Sequence, residues 1–483
     1  MDAGKNYYDV LQLSNTATST EIRKAYRRLV REYHPDANQE LATDQHFHEL
    51  QEAYETLSDP LKRKKYDHWR AQNGLDKSSA LSLHSVASHT VLRPNPNEQA
   101  YYVRLDVKPQ ANLPTTRLPL NLCLVVDRST SMQGVRIQRI KEAIRHIIDK
   151  LQPQDALALV VFSDRAEIVI ESQQGIDQRM AKSIVSTIQP RGGTEILQGL
   201  EAGLAEIMRN FNQNAVNHLI LLTDGQTYGD EEACIQKAQW AGVNKIQFSA
   251  IGIGSDWNED LLDSMASLSG GLSTYIDSPE KIKYVFEDTM QNLETVVARN
   301  LSMRLNLNSR VHLHEAYQIT PQINRLDSRG DRIRLGSLSA GQQLTLLLEF
   351  RIRSLPLGEN RLMRVTVEAD MPGHNGHRPW QWLELHVDVK DTLNASIPEA
   401  LTDVLSKLSV FKMQEKVSVD LKHGQVERAS ERLKIMATHL LNLGETNLAN
   451  AALLEAGQLN QTRALSAQGR KQIRYGTRTL ATS

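Results

Sequence analysis

The spacing of apolar positions changes period several times along the chain. Ile22, Ala25, Tyr26, Leu29 and Tyr33 recur at three- and four-residue intervals and predict a helix. The Thr18–Glu21 capping box starts it. Phe47, Leu50, Ala53, Tyr54 and Leu57 predict a second, antiparallel helix that stops at Ser58-Asp59-Pro60. Residues 71–98 lose this period, are rich in Ser, His, Asn and Pro, and read as a linker. Strict alternation follows, with Tyr101, Val103, Leu105 and Val107 on one face and Tyr102, Arg104, Asp106 and Lys108 on the other, as in a half-buried strand. Residues 117–298 interleave short apolar runs with helical segments, the pattern of a parallel α/β sheet.

Period two returns at Leu344, Leu346, Leu348, Phe350 and Ile352 and again at Leu383, Leu385, Val387 and Val389, so residues 299–392 read as an antiparallel sandwich. The strand at 101–108 belongs to the same sandwich, with the α/β domain inserted in it. From Pro398 onward the pattern is helical; Leu433, Met436, Leu440 and Leu443 form a stripe, and Gly444 caps that helix before another through Leu453. The expected organisation is multidomain α+β: a helical module over 1–70, the linker at 71–98, first sandwich strands at 99–116, the α/β domain at 117–298, the rest of the sandwich to 392, and a helical segment over 393–483.

Composition narrows the function classes. Over 483 residues, 56 Lys+Arg balance 57 Asp+Glu, so no net field exists to drive polyelectrolyte binding. Two cysteines, Cys123 and Cys234, cannot build a disulfide framework and fit a reducing, cytoplasmic setting. No run approaches the roughly 20 apolar residues of a membrane span, and the first residues lack the apolar core of a signal peptide.

Local charge is more informative than the total. Arg23, Arg27 and Arg31 recur every four residues beside Lys24 and Arg28, giving the first helix a basic stripe. It runs into His34-Pro35-Asp36, where proline disfavours helix at the preceding residue and projects a histidine and a carboxylate beside the stripe. No aromatic stacking set accompanies the basic residues, which argues against nucleic acid. With "NYYDVLQLSNTATSTEIRKAYRRLVREYHPD" and "FHELQEAYETLSDPLKRKKYD", residues 5 to about 70 resemble the J domain of DnaJ co-chaperones. The resemblance implies docking on a DnaK-type chaperone and stimulation of its ATP hydrolysis. His34, Pro35 and Asp36 would be the stimulating loop, and Arg23, Lys24, Arg27, Arg28 and Arg31 would meet an acidic surface of the chaperone. The chain departs from the fullest DnaJ architecture: no Gly/Phe-rich segment follows, and two cysteines cannot form paired zinc sites.

A second constellation lies in the α/β region. The strand "LPLNLCLVVD" ends at Asp127, and Ser129 and Ser131 follow at every second residue; Thr194 follows Arg191-Gly192-Gly193, and "HLILLTDG" delivers Asp224. Hydroxyls and carboxylates are hard oxygen donors that suit magnesium or manganese, and ligand sites of open parallel sheets lie beyond the strands' carboxyl ends. The five positions Asp127, Ser129, Ser131, Thr194 and Asp224 resemble the metal-ion-dependent adhesion site of von Willebrand factor A domains. That resemblance implies a doubly wound sheet over about 117–298, direct ligation by Ser129, Ser131 and Thr194, water-mediated ligation by Asp127 and Asp224, and a coordination place left for a partner's acidic side chain.

Other signals are weaker. His312 and His314 alternate with Val311 and Leu313, which marks a solvated strand face. The basic residues Arg470, Lys471, Arg474 and Arg478 read as a solvated or partner-facing helix side. No nucleophile–base pattern stands out, so an enzyme is not expected. The expected function is a co-chaperone adaptor that recruits a DnaK-type chaperone and grips a client or complex through the magnesium site. The alternative is an adaptor subunit of a metal-insertion or remodelling complex driven by a ring ATPase.

Overall fold

A computed structural model of the chain describes residues 7–11, 13, 17–32, 44–72, 81–95, 97–110, 117–227, 229–330, 332–371, 380–391 and 397–481. It divides into two compact units, residues 1–80 and 81–483.

The first unit contains α1 (Tyr7–Val10), α2 (Ser19–Glu32), α3 (Asp44–Ser58) and α4 (Pro60–Gln72). The capping box forms as expected, with the Thr18 amide donating to Glu21 Oε2 at 2.6 Å and the Glu21 amide to Thr18 Oγ1 at 3.3 Å. Ile22 and Leu29 of α2 are buried in one apolar cluster with Leu50, Ala53 and Leu57 of α3, and Ala25, between the two in sequence, is buried as well. Tyr26 stacks on Tyr54 with ring centroids 4.0 Å apart. The helix α4 goes beyond the two-helix expectation. Pro60 opens it, and Asp59 accepts from the amides of Leu61 and Lys62, an aspartate–proline start that the sequence displays. Its buried Tyr66 takes the Tyr7 amide on its hydroxyl at 2.8 Å.

The second unit begins earlier than the expected first strand. Residues assigned to the linker form β1 (Leu81–Ala87) and β2 (Val91–Leu92). The linker reading of that stretch is therefore corrected: β1 pairs along its whole length with β3 (Gln99–Pro109). Its Ser and His side chains hid the alternation, because only Leu81 of this edge strand is fully buried.

The α/β domain comprises β4 (Leu120–Asp127), α5 (Val135–Lys150), β5 (Ala156–Phe162), β6 (Ala166–Gln174), α6 (Gln178–Thr187), α7 (Ile196–Arg209) and β7 (Val216–Thr223). It continues through α8 (Glu231–Val243), β8 (Gln247–Ile253), α9 (Glu259–Ser269), β9 (Ser273–Ile276) and α10 (Ile282–Glu294). Its sheet order is β6-β5-β4-β7-β8-β9, parallel except for the antiparallel edge β6. The strands β4, β5 and β7 are buried at every position, as expected where helices cover both faces of a sheet. Gly199 and Gly203 let α7 lie directly on that sheet: a Cβ at Gly199 would come within 2.7 Å of Phe162, and one at Gly203 within 2.4 Å of Val125.

The chain then returns to the sandwich through β10 (Val296–Leu307), β11 (Val311–Gln318), β12 (Asn324–Arg325), β13 (Ile333–Ser339), β14 (Leu344–Ile352), β15 (Gly358–Asp370) and β16 (Trp380–Val389). Two five-stranded sheets result, ordered β1-β3-β14-β11-β12 and β13-β10-β15-β16-β2. Antiparallel pairing of β3 with β14, from Val107 opposite Leu344 to Gln99 opposite Ile352, places the α/β domain as an insertion within the sandwich.

The C-terminal helices are α11 (Glu399–Lys422), α12 (Val426–Asn442), α13 (Thr446–Thr462) and α14 (Ala467–Thr479). They cover the outer face of the first sheet, where Tyr317 and Leu347 join Val404, Leu408 and Phe411 in one apolar cluster. That layer explains why β14 is buried on both faces, with Thr345 and Glu349 enclosed beside its leucines. Lys412 neutralises Glu349 at 2.7 Å and Glu315 at 2.6 Å.

Three of the four basic residues of α14, Lys471, Arg474 and Arg478, are turned inward onto acids of the α/β domain, which corrects the sequence reading. Lys471 is fully buried, donating to the Trp257 carbonyl at 2.6 Å and to Glu259 at 2.9 Å, with its ammonium 4.0 Å from the centre of the Trp257 ring. Arg470 pairs with Glu259 at 2.7 Å, Arg474 bridges Asp260 and Asp263, and Arg478 donates to both oxygens of Asp263. These acids lie on α9, so the last helix is locked onto the α/β domain.

Burial alone would raise the Asp263 carboxyl, but the Arg478 and Arg474 guanidiniums hold it down to about 2. A depressed folded-state pKa means that this lock stabilises the fold above about pH 4 and fades as the pH falls toward 2. Arg478→Ala leaves the buried Asp263 carboxylate with Arg474 as its remaining guanidinium and is expected to lower the unfolding free energy by about 3 kcal/mol in urea titration at pH 7. The deficit should shrink near pH 2; equal deficits at both pH values would refute the ion-pair account.

Candidate functional site at the sheet switch point

Chain order reverses beside β4: the next strand in sequence, β5, lies on one side of it and β7 on the other. At such a switch point the loops after two adjacent strands diverge and leave a crevice at their carboxyl ends. Asp127 is the last residue of β4, and Asp224 follows the last residue of β7.

Four of the five expected ligand residues join one hydrogen-bonded cluster. The Ser129 amide donates to Asp127 Oδ1 at 2.8 Å, the hydroxyls of Ser129 and Ser131 lie 2.9 Å apart, and Ser131 Oγ donates to Asp224 Oδ1 at 2.6 Å. Thr194 comes from the loop before α7 and sits against Gly225, where an added Cβ would fall 2.7 Å from its Oγ1. A glycine after Asp224 is therefore what lets the threonine hydroxyl approach. The loop carrying Thr194 is anchored from both sides, by Arg191 N–H to the Arg128 carbonyl at 2.7 Å and Gly193 N–H to Asp164 Oδ1 at 2.8 Å.

The two carboxylates differ in duty. Asp127 is fully buried, and Thr223 Oγ1 donates to its Oδ2 at 2.6 Å, so both its oxygens are engaged within the loop framework. Burial raises its carboxyl to about 6, while the hydrogen bonds from Thr223 and Ser129 pull the other way. Asp224 gives one oxygen to the hydroxyl cluster and the other to Arg136, whose Nη1 lies 2.5 Å from Oδ2.

Sequence reasoning passed over Arg136. Its signal was position: it is the second residue of α5, where the helix dipole disfavours a cation that has no anion to answer.

Ser131 is exposed and Thr194 half-buried, so hydroxyls face the crevice while both carboxylates sit beneath. An all-oxygen set of this kind suits a hard divalent cation. Among the described residues, no group of three or more His, Cys, Asp or Glu is placed to hold a metal, so the hydroxyls are indispensable to any such site here. His312 and His314 are exposed on β11. The thiols of Cys123 and Cys234 are buried; desolvation raises both, that of Cys234 to about 12.

In the N-terminal unit Arg23, Lys24 and Arg27 are exposed along α2. The side chains of Arg28 and Arg31, and all of His34, Pro35 and Asp36, lie outside the described residues.

An open, largely parallel sheet with paired oxygen-bearing loops at its switch point, set within a β-sandwich, defines a von Willebrand factor A-type protein. The DnaJ domain model matches residues 6–67, and the von Willebrand factor type A domain model matches residues 121–291. The chain is thus a fusion of a DnaJ domain with a von Willebrand factor A domain. A third model, the Sll0103-like C-terminal alpha-helical domain, matches residues 399–483 and gives the helical layer a family of its own.

Among curated relatives, the uncharacterized protein sll0103 of Synechocystis sp. is 29% identical over 384 residues, covering 75% of this chain and 91% of that protein. The uncharacterized protein YfbK of Escherichia coli is 24% identical over 306 residues, 61% of this chain and 52% of its own length. A chaperone protein DnaJ of Listeria monocytogenes is 52% identical over 67 residues, 14% of this chain and 18% of its own. In fold, a von Willebrand factor type A protein from Catenulispora acidiphila superposes with a TM-score of 0.69 at 16% identity, covering 84% of this chain and 98% of that one. The ArnB paralog VWA2 from Sulfolobus acidocaldarius gives 0.52 at 14% identity, covering 83% and 99%.

Thr223→Val removes a nearly isosteric donor from the buried Asp127 carboxylate. An unfolding free energy lower by about 2 kcal/mol in urea titration is expected, and an unchanged value would show that the bond does not support the site.

Proposed function

We propose that this chain is a cytoplasmic, non-enzymatic co-chaperone adaptor. The J domain engages a DnaK-type chaperone and stimulates its ATP hydrolysis, while the von Willebrand A domain holds an acidic side chain of a client or complex through a divalent cation, magnesium or manganese. The observation that carries the second half is the convergence of Ser129, Ser131, Thr194, Asp127 and Asp224 at the switch point. A bound cation there would supply a positive charge able to accept a carboxylate from outside.

The chain's own residues divide the work. Ser131 and Thr194 offer neutral oxygens toward the crevice, and the buried Ser129 offers one beneath them. Asp127 fixes the loop by accepting from Ser129 N–H and Thr223 Oγ1, and Asp224 orients the Ser131 hydroxyl. Few direct carboxylates leave excess positive charge on a cation, which favours an anionic partner.

At the other end, exposed Arg23, Lys24 and Arg27 supply a basic surface that accelerates encounter with an acidic partner and makes it salt-sensitive. His34, Pro35 and Asp36 are assigned the stimulating role through the J-domain resemblance. Among the described residues, no helix is long and apolar enough to cross a membrane.

Single-turnover ATP hydrolysis by a DnaK-type chaperone is expected to rise by an order of magnitude with the full chain and to stay basal with His34→Gln; equal stimulation by both would refute the chaperone half. Partner capture from native lysate should require magnesium, fail in chelator, and fall at least tenfold with Asp127→Ala. A set of captured proteins indifferent to chelator and to Asp127→Ala would refute the metal-gripping half.

A further inference from the structure

The oxygen cluster already contains one cation: Arg136. Gly134, with φ 87°, turns the chain into α5, and Arg136 reaches from the second position of that helix back across the loop. Its Nη1 donates to Asp224 Oδ2 at 2.5 Å and to the Ser131 carbonyl at 3.3 Å. The opposite wall is cut away to admit it. An added Cβ at Gly254, in the loop after β8, would lie 2.9 Å from Arg136 Nη2. Asp224 is fully buried while the Arg136 side chain is one-third exposed, so the carboxylate is fixed and the guanidinium has room to leave.

We propose that Arg136 is a resident counter-cation that competes with the divalent ion for Asp224 and sets a deliberately weak metal affinity. The inference rests on the metal-site reading above and deepens it. A guanidinium forms a strong charge-assisted bond with a carboxylate. Two cations on one buried carboxylate also repel each other through a medium of low dielectric constant. Metal alone therefore binds weakly. Metal arriving with an acidic partner side chain binds well, because the added negative charge offsets the loss of the arginine contact. The site closes on a partner rather than on free magnesium.

The test is calorimetric titration of magnesium into the full-length wild type, Arg136→Gln and Arg136→Lys, with melting temperatures in chelator and in magnesium. Arg136→Gln is expected to bind magnesium at least about tenfold more tightly than wild type, and Arg136→Lys about threefold more tightly, because a lysine ammonium keeps the charge but sits on a flexible stem and holds Asp224 less firmly than the planar guanidinium. Arg136→Gln should also gain more in melting temperature from magnesium than wild type does. If Arg136→Gln folds only with magnesium present, the ion is replacing the guanidinium and the proposal stands. If it folds in neither condition, Arg136→Lys decides, with tighter binding supporting and equal or weaker binding overturning. Wild type and Arg136→Gln agreeing within twofold, or Arg136→Gln binding more weakly, overturns the proposal and leaves the metal site itself intact. No binding by any of the three proteins overturns the metal reading, and this inference with it.

Discussion

Everything in the second unit depends on the pairing of β3 with β14. Two strands more than two hundred residues apart are held in register from Gln99 opposite Ile352 to Val107 opposite Leu344. The pairing returns the chain to the sheet after the α/β insertion, and Asp106 of β3 takes the Thr345 hydroxyl of β14 at 2.7 Å within it. An insertion tied at both ends to one sandwich cannot drift as a bead on a linker would. The switch-point loops are thereby presented from a rigid base, as metal or partner recognition at defined geometry requires.

A second constraint comes from the far end of the chain. The helix α14 places Lys471, Arg474 and Arg478 against Glu259, Asp260 and Asp263 of α9, and Tyr475 packs with Trp257 and Tyr275 at centroid distances of 5.6 and 5.7 Å. Trp257 in turn donates to the Gly254 carbonyl at 2.8 Å, in the loop that makes room for Arg136. Candidate site, β8 loop and C-terminal helix are consecutive neighbours in one packed structure. The helical domain is part of the support of the α/β domain, which explains why both belong to one compact unit.

Much of this was legible in the sequence, for identifiable reasons. Strands whose environment differs on their two faces declared themselves, as Tyr101, Val103, Leu105 and Val107 did. The motif residues Asp127, Ser129, Ser131 and Asp224 were found because close spacing and strand-end placement are local properties. What escaped depended on long-range packing. β1 carries too few apolar residues to announce a strand and is defined by its partner β3. The basic residues of α14 looked solvated because their acids lie about two hundred residues upstream. The burial of Thr345 and Glu349 on β14 follows from a helical layer that no periodicity within β14 reveals. Arg136 shares that reason, because its partner is distant, yet its unfavourable position at a helix start is local and readable.

The proposed cation site at the switch point draws its hydroxyls and carboxylates from three loops. Calorimetric titration of magnesium into the full chain and into a Ser129→Ala/Ser131→Ala variant addresses it directly. One magnesium per chain is expected for the wild type and none for the variant, with the variant's circular dichroism spectrum unchanged. Equal binding by a folded variant, or no binding up to millimolar magnesium by the wild type, Arg136→Gln and Arg136→Lys alike, would contradict it.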